Sequence, residues 1–152
     1  MNMESDERYM DLAIGEAKKA EITGEVPVGV VIVSADAVIG RGFNEPISSN
    51  DPTAHAEMIA IREAARHQRN YRLSDATMYS TVEPCIMCAG AMIHARISRL
   101  VFGTLDTKAG AAGSIYNVLT DPRLNHRVDV IFGIREEECA ALLREFFERR
   151  RR

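Results

Sequence analysis

His55, Ala56 and Glu57 stand together, and thirty positions after His55 comes the run Pro84-Cys85-Ile86-Met87-Cys88. Imidazole nitrogen and thiolate sulfur are donors that zinc accepts, and two thiolates with a neutral imidazole cancel the charge of Zn²⁺. Cys85 and Cys88 are three apart. On the first turn of a helix both sulfurs then lie on one face, where exposed N–H groups and the dipole favour thiolates. A three-ligand set leaves a fourth position for water, the arrangement of catalytic rather than structural zinc. That gives Glu57 a use: a carboxylate beside the water, but not on the metal, accepts a proton and delivers it to a substrate. Successive helical residues lie ~100° apart, so positions 55 and 57 converge only if the metal lies off the N-terminal end of their helix. The competing arrangement is a closed knuckle with Cys139 or His94 as fourth ligand, which leaves Glu57 without a role.

Elements that place these residues follow from the periods around them. Ser5 is expected to cap a first helix whose stripe Met10, Ala13, Ile14, Ala17 recurs at i, i+3, i+4, i+7, with Gly24 marking its end. Val/Ile-rich runs at Pro27 to Val33 and Ala37 to Phe43, split by Ser34-Ala35-Asp36, read as a β-hairpin. Thr53 caps a helix from about Ala54 to Arg66. A third strand, Ala76 to Val82, runs into a helix entered through Pro84 and ending near Arg96. Strands at Arg99 to Phe102 and Val128 to Phe132 flank a loop over Gly103 to Gly113 and a short helix from Ser114, and a last helix runs from Arg135 to about Phe147. Strands joined through helices need parallel pairing and covered faces, so the chain reads as a layered α/β domain with a mixed five-stranded sheet.

A chain of 152 residues, 46% hydrophobic and 27% charged, suits one globular domain, 1–152, with a short basic tail at about 148–152. Net charge is −3, against a protein that coats nucleic acid indiscriminately. The average conceals a split: residues 1–57 hold four basic and eleven acidic side chains, and residues 58–152 hold fifteen and eleven. A basic face on an acidic protein is therefore expected, with Arg62, Arg66 and Arg69 or the run Arg149 to Arg152 as the groups for phosphates. Three cysteines make a poor disulfide framework, the apolar runs are too short to cross a bilayer, and the acidic start lacks a signal peptide's cationic and apolar regions. A cytoplasmic protein is expected.

Together, H-x-E and P-C-x-x-C form the signature of the zinc nucleobase deaminases, and on that pair the chain resembles this superfamily. From about Gly24 to Phe147 it further resembles the bacterial-type tRNA adenosine deaminases. The segments that carry the likeness are Val26-Pro27-Val28-Gly29, Asn44, Asp51 to Glu57, Glu83 to His94, Asp106 to Ser114, Leu124 to Arg127 and Cys139 to Leu143. Residues Glu21 to Gly24 and Ile47 to Asn50 depart from it. The resemblance implies a three-layer α/β/α cytidine deaminase-like fold and conversion of the wobble adenosine of a tRNA anticodon to inosine, in a homodimer. It implies that His55, Cys85 and Cys88 hold one Zn²⁺ per subunit and that Glu57 moves the proton. Asn44 would recognise the nucleoside, the Glu83-Pro84 corner and the backbone of Ala56 would line the base pocket, and Asp106, Lys108 and Phe147 would approach the anticodon. A free-nucleobase or nucleoside deaminase of guanine or cytosine type would use the same metal centre.

By residue type alone other roles stay open. Asn44 follows a strand and suits a turn, Asp106 and Lys108 suit a surface loop, and Phe146 and Phe147 suit the core. His94 and His126 read as structural, His67 as solvated, and Cys139 as a small hydrophobe. Ala89, Met92 and Ile93 form an apolar helix face for a partner subunit or for the chain's own core.

Overall fold

In the computed structural model, which describes residues 2–151, four helices cover the two faces of one five-stranded sheet. Helix α1 (Met3–Ile22) begins earlier than its apolar period suggests, because Asn2 rather than Ser5 is the N-cap. Asn2 accepts the Ser5 N–H at 2.9 Å while Ser5 Oγ accepts the Asn2 N–H at 3.2 Å, so the two residues satisfy each other's end donors. The stripe Met10, Ala13, Ile14, Ala17 is buried. It packs on β1 (Gly29–Ser34), where a Cβ at Gly29 would collide with the backbone of Ala13 and Ala17. β1 returns as β2 (Ala37–Phe43) through Ala35 and Asp36. Both have left-handed φ, 50° and 59°, the two-residue turn whose twist matches the strands it joins.

Strand order is β2-β1-β3-β4-β5. β1 pairs antiparallel with β2 and with β3 (Thr77–Val82), whereas β3, β4 (Arg99–Thr104) and β5 (Asp129–Phe132) run parallel. The mixed sheet is as expected, with antiparallel pairing reaching one strand beyond the hairpin. Side chains alternate through it. Val30, Ile32, Met78 and Leu100 join the core under α2 (Ala56–Gln68) and α3 (Ile86–Ala95), while Val31, Val33, Tyr79 and Val101 join the core under α1 and α4 (Glu136–Arg150). The result is three layers, α/β/α.

Behind the second core lies a buried polar link. Arg99 donates to both oxygens of Asp6 at 2.6 and 2.9 Å, and the Tyr79 hydroxyl donates to Asp6 at 2.7 Å. Burial by itself would raise the Asp6 carboxyl, but the Arg99 and Tyr79 bonds outweigh it and hold it below its ordinary value.

Several boundaries differ from those expected. Pro84 lies before α3, not in its first turn, since Cys85 is the N-cap. No helix forms from Ser114; residues 105–128 cross as turns with isolated bridges Cys85–Gly110 and Ala112–Asn117. Ala89, Met92 and Ile93 are buried in the chain's own core and offer no exposed apolar face. The basic run from 148 is no tail up to Arg150, being the last turn of α4. There Arg149 pairs with Glu21 at 2.6 Å, and Arg150 donates to the Gly24 carbonyl and covers the Phe146 ring. Arg152 lies outside the described residues.

Candidate active site

Helices α2 and α3 meet at their N-termini, with His55 the N-cap of one and Cys85 the N-cap of the other. Both caps have extended backbone (φ −73°, ψ 151° and φ −78°, ψ 177°), and neither side chain makes a capping hydrogen bond. The side chains are thereby released toward a point off the helix ends, the geometry that positions 55 and 57 require. Thr53 does not cap α2. Its hydroxyl and N–H both go to Asp51, at 2.7 and 2.8 Å. The cap comes from another element: Asn44, just after β2, accepts the Ala56 N–H at 3.0 Å. Glycines bring α2 that close, because a Cβ at Gly42 would strike the Ala56 carbonyl.

His55 Nδ1 lies 3.5 Å from the sulfurs of both Cys85 and Cys88, and the three donors are within 4.8 Å of one another. Nitrogen and sulfur on two corners of a zinc tetrahedron, with arms of ~2.0 and ~2.3 Å, sit about 3.5 Å apart, so this donor set fits one Zn²⁺. Among the described residues no fourth His, Cys, Asp or Glu joins the cluster. His94 is exposed and Cys139 is buried under the sheet, which removes the closed-knuckle arrangement.

The two thiols are unequal. A bond from the Cys88 thiol, with His55 adding to it against burial, holds Cys85 down at about 4; Cys88, which gives that bond and is itself buried, is pushed up. His55 is raised, chiefly by its bond with Cys85. Glu57 is 4% exposed, and burial pushes its carboxyl up to about 7, with the negative Cys85 adding to the shift. A carboxyl poised near neutrality suits a group that must both take and give a proton. Burial likewise pushes Cys139 up to about 12, an inert thiol.

Asn44, His55, Glu57, Glu83 and Cys85 line a cavity of about 510 Å³, closed on the other side by Leu105, Asp106, Thr107, Lys108 and Ala109 and by Phe147. Of the residues expected in the site, Ala56 and Pro84 are not among those lining it. The N–H of Ala56 is taken by Asn44, and the carbonyl of Pro84 accepts the Ala111 N–H at 2.8 Å. Asp106 uses one carboxylate oxygen to accept the N–H groups of Lys108 and Ala109, each at 3.1 Å, which folds the loop. Phe147 is 45% exposed at the cavity, while Phe146 belongs to the core. His126 is structural, with Nε2 2.7 Å from the Ile97 carbonyl. Val26, Val28, Leu105 and Leu143 are apolar walls of the cavity that no spacing in the sequence announces. A larger groove, about 650 Å³, follows the outer side of α3 between Tyr71, Ile86, His94 and Leu124, and holds none of the three donors.

The buried Glu83 carboxylate is more than part of a corner. Glu83 would be raised by burial, but the Ser114 hydroxyl and the N–H groups of Ser114, Asp106 and Ala112 outweigh that and hold it below its ordinary value.

Residues 3–104 match the family described as the cytidine and deoxycytidylate deaminase zinc-binding region. The tRNA-specific adenosine deaminase of Haemophilus influenzae is 50% identical over 149 residues, covering 97% of this chain and 86% of that one. A structure from a study of A-to-I editing by tRNA:A34 deaminases at the wobble position of transfer RNA is 43% identical. It superposes with a TM-score of 0.86 over 90% of this chain and 99% of its own. The guanine deaminase of Bacillus subtilis is 34% identical with a TM-score of 0.64, covering 85% and 83%. The chain thus belongs to the tRNA-specific adenosine deaminase family and carries the zinc-binding region of the cytidine and deoxycytidylate deaminases.

Proposed function

We propose that this chain is a single zinc-dependent domain that hydrolyses adenosine to inosine at the wobble position of a tRNA anticodon. The observation that carries the reading is the convergence of His55, Cys85 and Cys88 beside a buried carboxyl, Glu57, that stays outside the donor set. When bound, the metal acts as a Lewis acid that makes water nucleophilic near neutral pH. His55, Cys85 and Cys88 hold it. Glu57 takes a proton from the attacking water and passes it to the ring nitrogen as the water oxygen bonds to C6; it then carries the remaining hydroxyl proton to the exocyclic amine, the exocyclic C6–N bond breaks, and ammonia leaves with C6 as a carbonyl. Because Asn44 Oδ1 is committed to the Ala56 N–H, its amide nitrogen is left to donate to the nucleoside. Pro84 and Ala56 brace the pocket from behind. Lys108 and Asp106 meet the nucleotides beside the target, and the exposed Phe147 ring offers a face on which an unstacked base can lie.

A cytoplasmic homodimer is the working unit in this reading. The outer groove of α3, with Tyr71, Ile86 and Leu124 exposed on it, supports that pairing. Among the described residues no helix is long and apolar enough to cross a membrane. The deciding experiment incubates the purified protein with an anticodon stem-loop bearing a wobble adenosine, and separately with free adenosine, adenine, guanine and cytosine. Inosine and ammonia are expected from the stem-loop. Product from the small molecules alone would make the chain a free-nucleobase or nucleoside deaminase instead.

A further inference from the structure

We propose that Glu83 is a positioning residue that sets how tightly the pocket grips its substrate, by fixing the 105–114 loop in register with the metal ligands. This rests on the deaminase reading above. Glu83 is 2% exposed, and among the described residues it has no cationic partner. Each of its oxygens instead accepts two bonds. Oε1 takes the Asp106 N–H at 3.0 Å and the Ser114 hydroxyl at 2.5 Å; Oε2 takes the N–H groups of Ala112 and Ser114, both at 3.0 Å. A carboxylate has about four acceptor sites, so none is left for a ligand. All four donors belong to one loop, and that loop supplies the wall Leu105 to Ala109 facing Asn44 and Glu57.

Two further contacts join the same wall to the metal turn. The Ala111 N–H bonds the Pro84 carbonyl, and Gly110 forms a bridge with Cys85. Gly110 has to be glycine here, because a Cβ would overlap the Glu83 carboxyl. Three successive residues thus present a carboxylate and a carbonyl to the wall and a sulfur to the metal. A displaced wall changes the grip on substrate while Glu57 and the three donors keep their places.

Glu83→Gln puts an amide N–H₂ where loop donors converge, and Ser114→Ala deletes one bond while leaving Glu83 intact. Both are assayed on the stem-loop for kcat and KM, with zinc content measured alongside. KM is expected to rise about tenfold for Glu83→Gln and about threefold for Ser114→Ala, in the range of lost charge-assisted bonds, with kcat within about twofold and zinc retained. A fall in kcat at constant KM, loss of zinc, or no change in either variant would overturn the inference. If Glu83→Gln does not fold, the KM of Ser114→Ala decides alone. Failure of the deaminase reading looks different: the unmodified protein itself then yields no inosine from the stem-loop.

Discussion

Glu57 and Asn44 show how much of a residue's work depends on its neighbours. Replacing Glu57 by Gln keeps shape and removes the proton carrier. Turnover on the stem-loop is expected to drop by at least about a hundredfold with the zinc content of the protein unchanged, as metal analysis would show. Asn44 has two jobs that substitutions separate. Asn44→Ala loses the cap of α2 and should cost about 1 kcal/mol in urea unfolding. Asn44→Asp keeps an acceptor for Ala56 and should restore that stability, yet it lacks amide donors and should stay impaired in KM. The donor residues were legible in the sequence because a metal admits few side chains and dictates their spacing. The capping job of Asn44 was not, since Asn44 and Ala56 are twelve positions apart and meet only when β2 and α2 pack.

Elements were legible wherever a period repeats: the α1 stripe, the hairpin and all five strands lie near their expected places. Starts of helices shifted where the cap came from outside, as at α2, or where proline stood before the cap, as at α3. The helix expected from Ser114 fails for a related reason. The Val118 N–H, which would close its first turn on the Ser114 carbonyl, goes instead to the Ala111 carbonyl at 3.1 Å, and no periodic pattern reports that. The Asp6–Arg99 link between α1 and β4 yields a prediction with a definite sign. Asp6 is lowered from 3.8, so its contribution is complete above that value and vanishes as pH falls through the lower, folded value. Urea unfolding of the unmodified chain should lose stability below about pH 4, and Asp6→Asn should flatten that loss. At pH 7 the same substitution should cost roughly 3 kcal/mol, because it breaks the two-bond ion pair that the buried Asp6 carboxylate makes with Arg99.

Charge is organised across the whole molecule in a way composition does not convey. Arg66 lies ten positions beyond Ala56 on α2, about 15 Å along the axis at 1.5 Å per residue, which exceeds a Debye length of ~8 Å at physiological salt. Arg149 and Arg150 are tied to Glu21 and Gly24. Lys108 is the cation on the cavity wall. Lys108→Ala should therefore raise KM for the stem-loop and weaken its dependence on salt, whereas Arg66→Ala should leave both unchanged. A titration of KM against ionic strength compares the two.

The inequality of the two ligand sulfurs makes the protein its own gauge of loading. Stripped by a chelator, each chain presents one reachable sulfur, Cys85, beside two that are sealed in its interior, Cys88 and Cys139. Iodoacetamide at neutral pH should then add a single carbamidomethyl group, at Cys85, and peptide mass spectrometry would count metal-free chains in a mixed preparation. Protein refilled with zinc before treatment should come through unlabelled.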